Sequence, residues 1–259
     1  MNIVVCVKQV PDTNEVKIDP KTNTLIREGV PSIINPDDKN ALEEAIKLKE
    51  SQGAHVTVIS MGPPQAEKAL REALAMGADE AILIGDRAFA GSDTLATSNT
   101  LAGAIKKLDY DIIFAGRQAI DGDTAQVGPG IAEHLGIPQV TYVEKVSVEG
   151  NELKVRRALE DGYENIKVSM PVLLTAIKEL NEPRYMDIKN IFTAFKKEIK
   201  IWSSADIDVD KALLGLAGSP TKVKKSATKE AKGKGEIVDK APKEAAAYAV
   251  LKLKEKHLI

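Results

Sequence analysis

Five polar side chains within ten residues, Arg117, Gln118, Asp121, Thr124 and Gln126, carry the chemistry this chain offers most plainly. They lie in the stretch Gly116 to Gly130, GRQAIDGDTAQVGPG. A guanidinium pairs with phosphate, a carboxylate accepts from ribose hydroxyls, and Thr and Gln add neutral donors and acceptors. That set suits holding a nucleotide better than cleaving a bond. No G-x-G-x-x-G follows the first apolar run, and the chain has no phosphate-binding G-x-x-x-x-G-K-[ST], no G-x-S-x-G, no H-E-x-x-H and no C-x-x-C. One cysteine, Cys6, excludes an internal disulfide and a thiolate metal cluster. Three scattered histidines, His55, His134 and His257, lack zinc-ligand spacing.

The stretch joins an apolar run, Tyr110 to Ala115, to an amphipathic one, Ala125 to Leu135, which reads as strand, loop and helix start. Gly116 lets the backbone turn where the strand ends. Asp123 or Thr124 is the expected N-cap, and the helix leaves its first amide N–H groups facing the loop. In an open α/β sheet such a loop lies beyond the carboxyl end of a strand, where nucleotides bind. The plain alternative is an ordinary capped turn between strand and helix.

The rest of the chain favours the nucleotide reading. Asn2 to Val10 is a near-continuous apolar run, as expected of a central strand covered on both faces. Cys6 reads as a small core residue in it. Pro11 to Pro36 holds short alternating pieces, Val16 to Ile18 and Thr24 to Ile26, that suggest a hairpin excursion. Asn35-Pro36-Asp37-Asp38 opens a helix with an N-cap Asn, Pro in first position and carboxylates at the positive dipole end. That helix runs to about Gln52, with Ala41, Leu42, Ala45, Ile46 and Leu48 opposite a polar face of Glu43, Glu44, Lys47 and Lys49. Ala54 to Met61 and Ala78 to Gly85 read as further strands. The helices Gln65 to Met76 and Ser92 to Leu108 follow them, the second opened by the capping cluster Ser92-Asp93-Thr94. Strands that alternate with helices imply right-handed crossovers and a parallel sheet, whose carboxyl ends near Val10, Met61, Gly85 and Gly116 share one edge.

Beyond Pro138 the pattern changes. Gln139 to Val148, Asn151 to Ala158, Tyr163 to Ser169 and Val172 to Ile177 read as strands linked by tight turns, hence antiparallel. Arg184 to Lys197 is amphipathic at helical spacing, and from Trp202 the chain is loop-rich. Ser219 to Lys234 is expected to be extended, and Pro242 to Lys256 reads as a final helix. The expected layout is a nucleotide-binding α/β domain over 1–180, a recognition segment over 181–200 and an arm over 201–259. The fold class is α/β: a mainly parallel, Rossmann-like sheet with helices on both faces, an antiparallel extension and a C-terminal arm.

Composition sets the outer limits. At 43% hydrophobic and 29% charged, the chain has the profile of a globular protein, and no apolar run approaches the ~20 residues that span a bilayer. The amino terminus reads directly into a strand pattern, without a basic leader and cleavage site, so a cytosolic protein is expected. The net charge of −2 hides an asymmetry: from Thr221 onward eleven Lys face five Asp and Glu. Such a run is expected to be a solvated tail or an arm lying on an acidic partner, and with Tyr248 as its one aromatic it lacks the interleaving expected of a nucleic-acid surface.

Several stretches then carry a family resemblance that covers almost the whole chain. They are VCVKQVPD at the start, Asn35-Pro36 leading into ALEEAIKLKE, SMGP at Ser60 to Pro63, ALAMGAD at Ala73 to Asp79, GRQAIDGDTAQVGP, and LNEPRYMDIKNI at Leu180 to Ile191. In this order and spacing the chain resembles the β subunit of an electron-transfer flavoprotein. The resemblance implies a heterodimer with an α subunit that carries an FAD, and electron delivery to acyl-CoA or other flavin dehydrogenases. It also implies a nucleotide pocket made by Cys6, Asn35 to Asp38, Met61, and the loop Gly116, Arg117, Gln118, Ala119, Ile120, Asp121, Gly122, Asp123, Thr124, Ala125, Gln126 and Val127. Respiratory members hold AMP there as a structural ligand. Bifurcating members hold a second FAD that takes electrons from NADH and divides them between ferredoxin or flavodoxin and the α-subunit FAD. The small residues of Asp121 to Gln126, and Asp93, Thr94 and Thr97 at a helix start, resemble the bifurcating type. On that resemblance Arg117 tunes the flavin or its phosphate, and Arg184, Tyr185 and Ile188 form the surface that recognises the dehydrogenase. The remaining alternative is a nucleotide-binding regulator without redox chemistry.

Overall fold

The structure is a computed structural model and describes residues 1–12, 31–224 and 235–259. β1 (Asn2–Cys6) is followed by a short pair, β2 (Gln9–Pro11) and β3 (Ser32–Ile34). Next come α1 (Pro36–Gln52), β4 (His55–Met61), α2 (Glu67–Met76), β5 (Glu80–Ile84), α3 (Thr94–Ile105), β6 (Ile112–Gly116) and α4 (Val127–Leu135). The second half holds β7 (Gln139–Glu149), β8 (Glu152–Ala158), β9 (Tyr163–Ser169), β10 (Val172–Ala176), α5 (Ile188–Ala194), β11 (Ile199–Trp202) and α6 (Pro242–Glu255).

Nine strands form one sheet in the order β11-β5-β4-β1-β6-β10-β7-β8-β9, parallel from β11 to β7 and antiparallel from β7 to β9. β1 is central: Val4 faces Thr57 on one side and Ile113 on the other. Alternation along the strands feeds two cores. Val5, Val58 and Phe114 meet Leu42, Ile46, Leu70 and Leu74 from α1 and α2. Val4, Ile59 and Ile113 meet Leu101, Ile105 and Ile131 from α3 and α4. Each such large side chain taken from water contributes about 1.5–3 kcal/mol, which is why the strand faces alone can hold helices on both sides. The expected doubly covered α/β sheet is present.

The helix signals hold well. α1 starts at Pro36 and ends where Gly53 turns left-handed at φ 66 and donates its N–H to the Lys49 carbonyl. Its expected polar face is nevertheless not solvated at Glu43 and Glu44, which are 3% and 8% exposed. The segment after residue 180 covers them, and its side chains satisfy their carboxylates.

Four strand and helix expectations change. The run Asn2 to Val10 divides, because after Val7 donates to the Ile59 carbonyl the next amide, Lys8, turns to Asp38, and Gln9–Pro11 then pairs antiparallel with β3. β10 is not a hairpin partner: it inserts between β6 and β7, parallel to both, with all five residues buried. Only residues 188–194 of the expected helix 184–197 are helical, because Asp187 caps it from within by accepting the Lys189 and Asn190 amides. Ile199–Trp202 adds an unexpected parallel edge strand on β5. The expected hairpin pieces, Val16 to Ile18 and Thr24 to Ile26, lie outside the described residues, as does 225–234. No residue of α6 is buried, so this helix presents every face to its surroundings.

Candidate functional site

From β1 the chain winds outward through β4 to β5 on one side, while β6 and β10 lie on the other, so the winding reverses between β1 and β6. In open α/β sheets the crevice beyond the carboxyl ends at that reversal is the ligand site. One residue bridges it. Asp38, in the first turn of α1, accepts the Lys8 amide at 2.7 Å with Oδ2 and the Gly116 amide at 3.0 Å with Oδ1. It thereby joins the end of β1 to the end of β6. Asp38 is 7% exposed, and burial pushes its carboxyl up to about 7 against the opposing pull of those hydrogen bonds. Burial, then the neighbouring Asp38 charge, pushes the Cys6 thiol far above the usual range, so Cys6 is an inert wall of the site.

The loop that follows β6 is anchored from α1. Asn35 stands at the N-cap position but spends no side-chain bond on the helix. Its Nδ2 instead donates to the Gln118 carbonyl at 2.8 Å, and its Oδ1 accepts the Ile120 amide at 3.0 Å. Lys8 Nζ holds Asp121 Oδ1 at 2.6 Å from the β1 side. Gln118 Nε2 donates to Asp123 Oδ1. Asp123 and Ala125 are both left-handed, at φ 56 and 52, so the expected capping by Asp123 or Thr124 does not occur. Thr124 is exposed, the N-cap is Gln126, and no side chain caps α4, whose helix begins at Val127. Gln126 Oε1 instead accepts from Thr94 Oγ1 at 2.9 Å, which links the start of α3 to this loop. Ala119, Gly122 and Ala125 add little bulk along its course.

Of the α3 residues, only Thr94 reaches the loop in this way. Asp93 is occupied: Oδ1 caps α3 by accepting the Ala96 amide, and Oδ2 accepts both the amide and the hydroxyl of Thr221. Thr97 lies one turn further along α3, half-buried. Met61, at the end of β4, lines a cavity with Lys8, Gln9, Val10, Gly62 and Pro63 on the same sheet edge.

Arg117 lies between two groups at the mouth. Its Nε is 3.4 Å from Asp37 Oδ2 without a hydrogen bond among the described residues, while its guanidinium stands 5.8 Å from the centre of the Tyr142 ring. Burial raises the Asp37 carboxyl, and the Arg117 charge pulls it back. The sequence reading missed Lys8 and Tyr142. Lys8 had a signal, since it follows the first strand directly inside VCVKQVPD. Tyr142 had none, since its place at the edge depends on β10 entering the sheet beside β7.

A second surface lies away from this edge. The expected partner residue Arg184 is a clasp: it bonds Glu43 Oε2 through Nε at 2.8 Å and both oxygens of Glu50. Beyond it the apolar residues point outward, with Tyr185 97%, Ile188 73%, Phe192 71% and Phe195 73% exposed. Ala194, 1% exposed, and Ile191 pack inward, so α5 docks by one thin side only.

The comparisons with known proteins agree with this architecture. The electron transfer flavoprotein domain family matches residues 22–207. The electron transfer flavoprotein subunit beta of Clostridium acetobutylicum is 76% identical over 259 residues, covering all of both chains. The caffeyl-CoA reductase-Etf complex subunit CarD of Acetobacterium woodii is 58% identical over 262 residues, again covering both chains completely. The acryloyl-CoA reductase electron transfer subunit gamma of Anaerotignum propionicum is 47% identical over 268 residues with the same coverage. A domain match across most of the sequence and full-length identity of this order establish that the chain belongs to the electron transfer flavoprotein family, as a β subunit.

Proposed function

We propose that this β subunit holds FAD in the crevice between β1 and β6 and that, paired with an α subunit carrying a further FAD, it takes electrons from NADH. One share passes to a low-potential acceptor such as ferredoxin or flavodoxin, and the other passes through the α-subunit FAD to a CoA-ester reductase or dehydrogenase. The observation that carries the reading is the start of α4, which no side chain caps, beside a loop of small residues that begins with the Arg117 guanidinium, 3.4 Å from Asp37. Uncapped helix amides and a guanidinium suit a diphosphate, and small residues leave width for a flat ring system.

Bound flavin would supply the two-electron chemistry, and the protein supplies position and field. The α4 amides would face anionic oxygens, and the Thr94 hydroxyl, which donates to Gln126 Oε1, holds the loop beside them. Asp38 and Asn35 keep the loop rigid. Arg117 would offer positive charge to a bound flavin or its phosphates, and the buried walls of Cys6 and Ala115 keep water from one side of the crevice.

AMP as a purely structural ligand is the second reading, supported by the same phosphate-binding features without the flat ring. A nucleotide-binding regulator without redox chemistry leaves the family membership and the exposed apolar side of α5 without a purpose. The deciding experiment is to co-express the chain with its α subunit, purify the complex, count FAD and AMP released, and add NADH. Two FAD per heterodimer and bleaching by NADH are expected. One FAD with one AMP, and no bleaching, replaces the proposal with the structural reading.

A further inference from the structure

β7 changes partners midway. Gln139 to Val143 pairs parallel with β10, and Val143 to Glu149 pairs antiparallel with β8. The register with β10 shifts between Leu174 and Ala176, so an extra residue of β7 is looped out there. Tyr142 lies in that bulge with φ 57, and its amide is pinned to Thr175 Oγ1 at 3.2 Å. Bulges next to functional sites re-aim side chains.

The change of partner explains a bulge, but it does not explain a tyrosine. A left-handed position is taken at least cost by Gly, then by Asn or Asp, and a bulky residue there is strained. The ring is also 38% exposed, so core packing does not account for it. What the ring does meet is Arg117, whose guanidinium is 5.8 Å from its centre. Arg117 is held at its root by donating its amide to the Ala176 carbonyl at 2.8 Å, on the strand beside β7. The guanidinium therefore stands between the Tyr142 ring and the Asp37 carboxylate, and its Nε makes no hydrogen bond among the described residues.

We propose that Tyr142 is a positioning residue: its strained bulge holds an aromatic face against Arg117 and fixes the guanidinium toward the nucleotide crevice. This rests on the reading of that crevice as a nucleotide site. A cation against an exposed aromatic face contributes a modest attraction, and here it also removes the freedom of a long side chain. The ring's π face is the active feature, and the hydroxyl is dispensable.

The test uses the heterodimer, freed of bound nucleotide by chaotropic bromide, desalted, and titrated calorimetrically with FAD and with AMP. Arg117→Ala identifies the site that Arg117 serves. At that site Tyr142→Leu, which keeps apolar bulk without the π face, should weaken binding about threefold. Tyr142→Phe should bind as the unaltered protein does, and adding Tyr142→Leu to Arg117→Ala should cost nothing further. Equal behaviour of the Leu and Phe variants, or additive losses in the double variant, would overturn the positioning role while leaving the site intact. If no titrated site is weakened by Arg117→Ala, the nucleotide reading of this crevice fails, and the role of Tyr142 fails with it.

Discussion

Asp38 Oδ1 accepts the Gly116 amide at 3.0 Å, and the absence of a side chain on Gly116 is what permits the approach. A Cβ on Gly116 would lie 2.2 Å from that oxygen and 2.7 Å from the Asp38 backbone nitrogen. The glycine of GRQAID is therefore set by contact with α1 and not by a left-handed turn. Gly116→Ala should push the first turn of α1 away from β6, lowering stability by about 3 kcal/mol and releasing bound nucleotide. Gly122→Ala is the control: a Cβ there meets nothing within 4 Å, and the change should stay within about 0.5 kcal/mol. Denaturant titration of both variants, with nucleotide counted after gel filtration, distinguishes contact from general loop sensitivity. Equal stability of the two would remove the close-approach explanation.

The same carboxylate gives the fold a pH dependence of unusual sign. The Asp38 carboxyl sits at about 7 in the folded chain against an ordinary 3.8. A raised acid contributes stability that is fully present below about 3.8 and is lost as pH rises through about 7. Asp38→Asn cannot titrate and cannot accept both amides, so it should be the less stable protein at pH 4. Its deficit should shrink between pH 4 and 7 by an amount on the order of a few kcal/mol. Glu50 and Asp79, whose carboxyls are lowered, act in the opposite direction but equally in both proteins. The difference between the two stability curves therefore isolates Asp38. A gap that stays constant from pH 4 to 7 would show that Asp38 does not change protonation there.

What could be read from sequence followed from where each determinant lies along the chain. Helix starts and stops are local, so Pro36, Gly53, Asp93 and Gly77 marked their helices correctly. Asn35 was placed at the right position with the wrong bonds, because the Gln118 carbonyl and Ile120 amide, far along the chain, take its side chain. Val172 to Ala176 carried the continuous apolar run of a doubly covered parallel strand. Its neighbours in sequence are hairpin strands, whose turn signals outweigh its own composition. The edge strand Ile199–Trp202 has only two half-buried residues, and its alternation, Ile199-Lys200-Ile201, is too short to announce it. The loop of Gly116 to Val127 stands out in sequence because its polar and small residue types are local. The pairings Lys8 with Asp121 and Arg117 with Tyr142 were not, because the sheet order creates them.

Arg184 ties the segment after residue 180 to α1. Glu43, whose side chain is 4% exposed, receives the Arg184 amide at 3.0 Å as well as its guanidinium. Asn181 adds bonds to the Asn40 carbonyl and Glu44 Oε2, each at 3.0 Å. Arg184→Met keeps most of the stem and removes the charge, leaving Glu43 buried without a cation. The expected loss is roughly 3 kcal/mol, with faster proteolysis near residues 181–187. Adding Glu43→Gln should recover part of that loss, since the stranded charge is then gone. If the double variant is no more stable than Arg184→Met alone, the clasp acts by packing and not by charge.

Ile188 is 73% exposed on a helix that keeps Ala194 inward, and Tyr185, Phe192 and Phe195 expose their rings on the same segment. A chain folded for its own sake gains nothing from four large apolar residues held in water on and beside a short helix. Anchors for a partner are enriched in such residues, and truncating one of them costs binding without unfolding. Ile188→Ala should leave the denaturation midpoint and the nucleotide content unchanged, while raising the half-saturating dehydrogenase concentration for electron transfer about tenfold. Thr193→Ala, a small exposed change on the same helix, should leave that concentration unaltered. An Ile188→Ala complex that transfers electrons at unaltered half-saturation would assign this surface to some contact other than the dehydrogenase. Loss in Ile188→Ala alone, with the fold and nucleotide intact, assigns docking to α5 and separates it from the crevice proposed to hold the nucleotide at the carboxyl edge of the sheet.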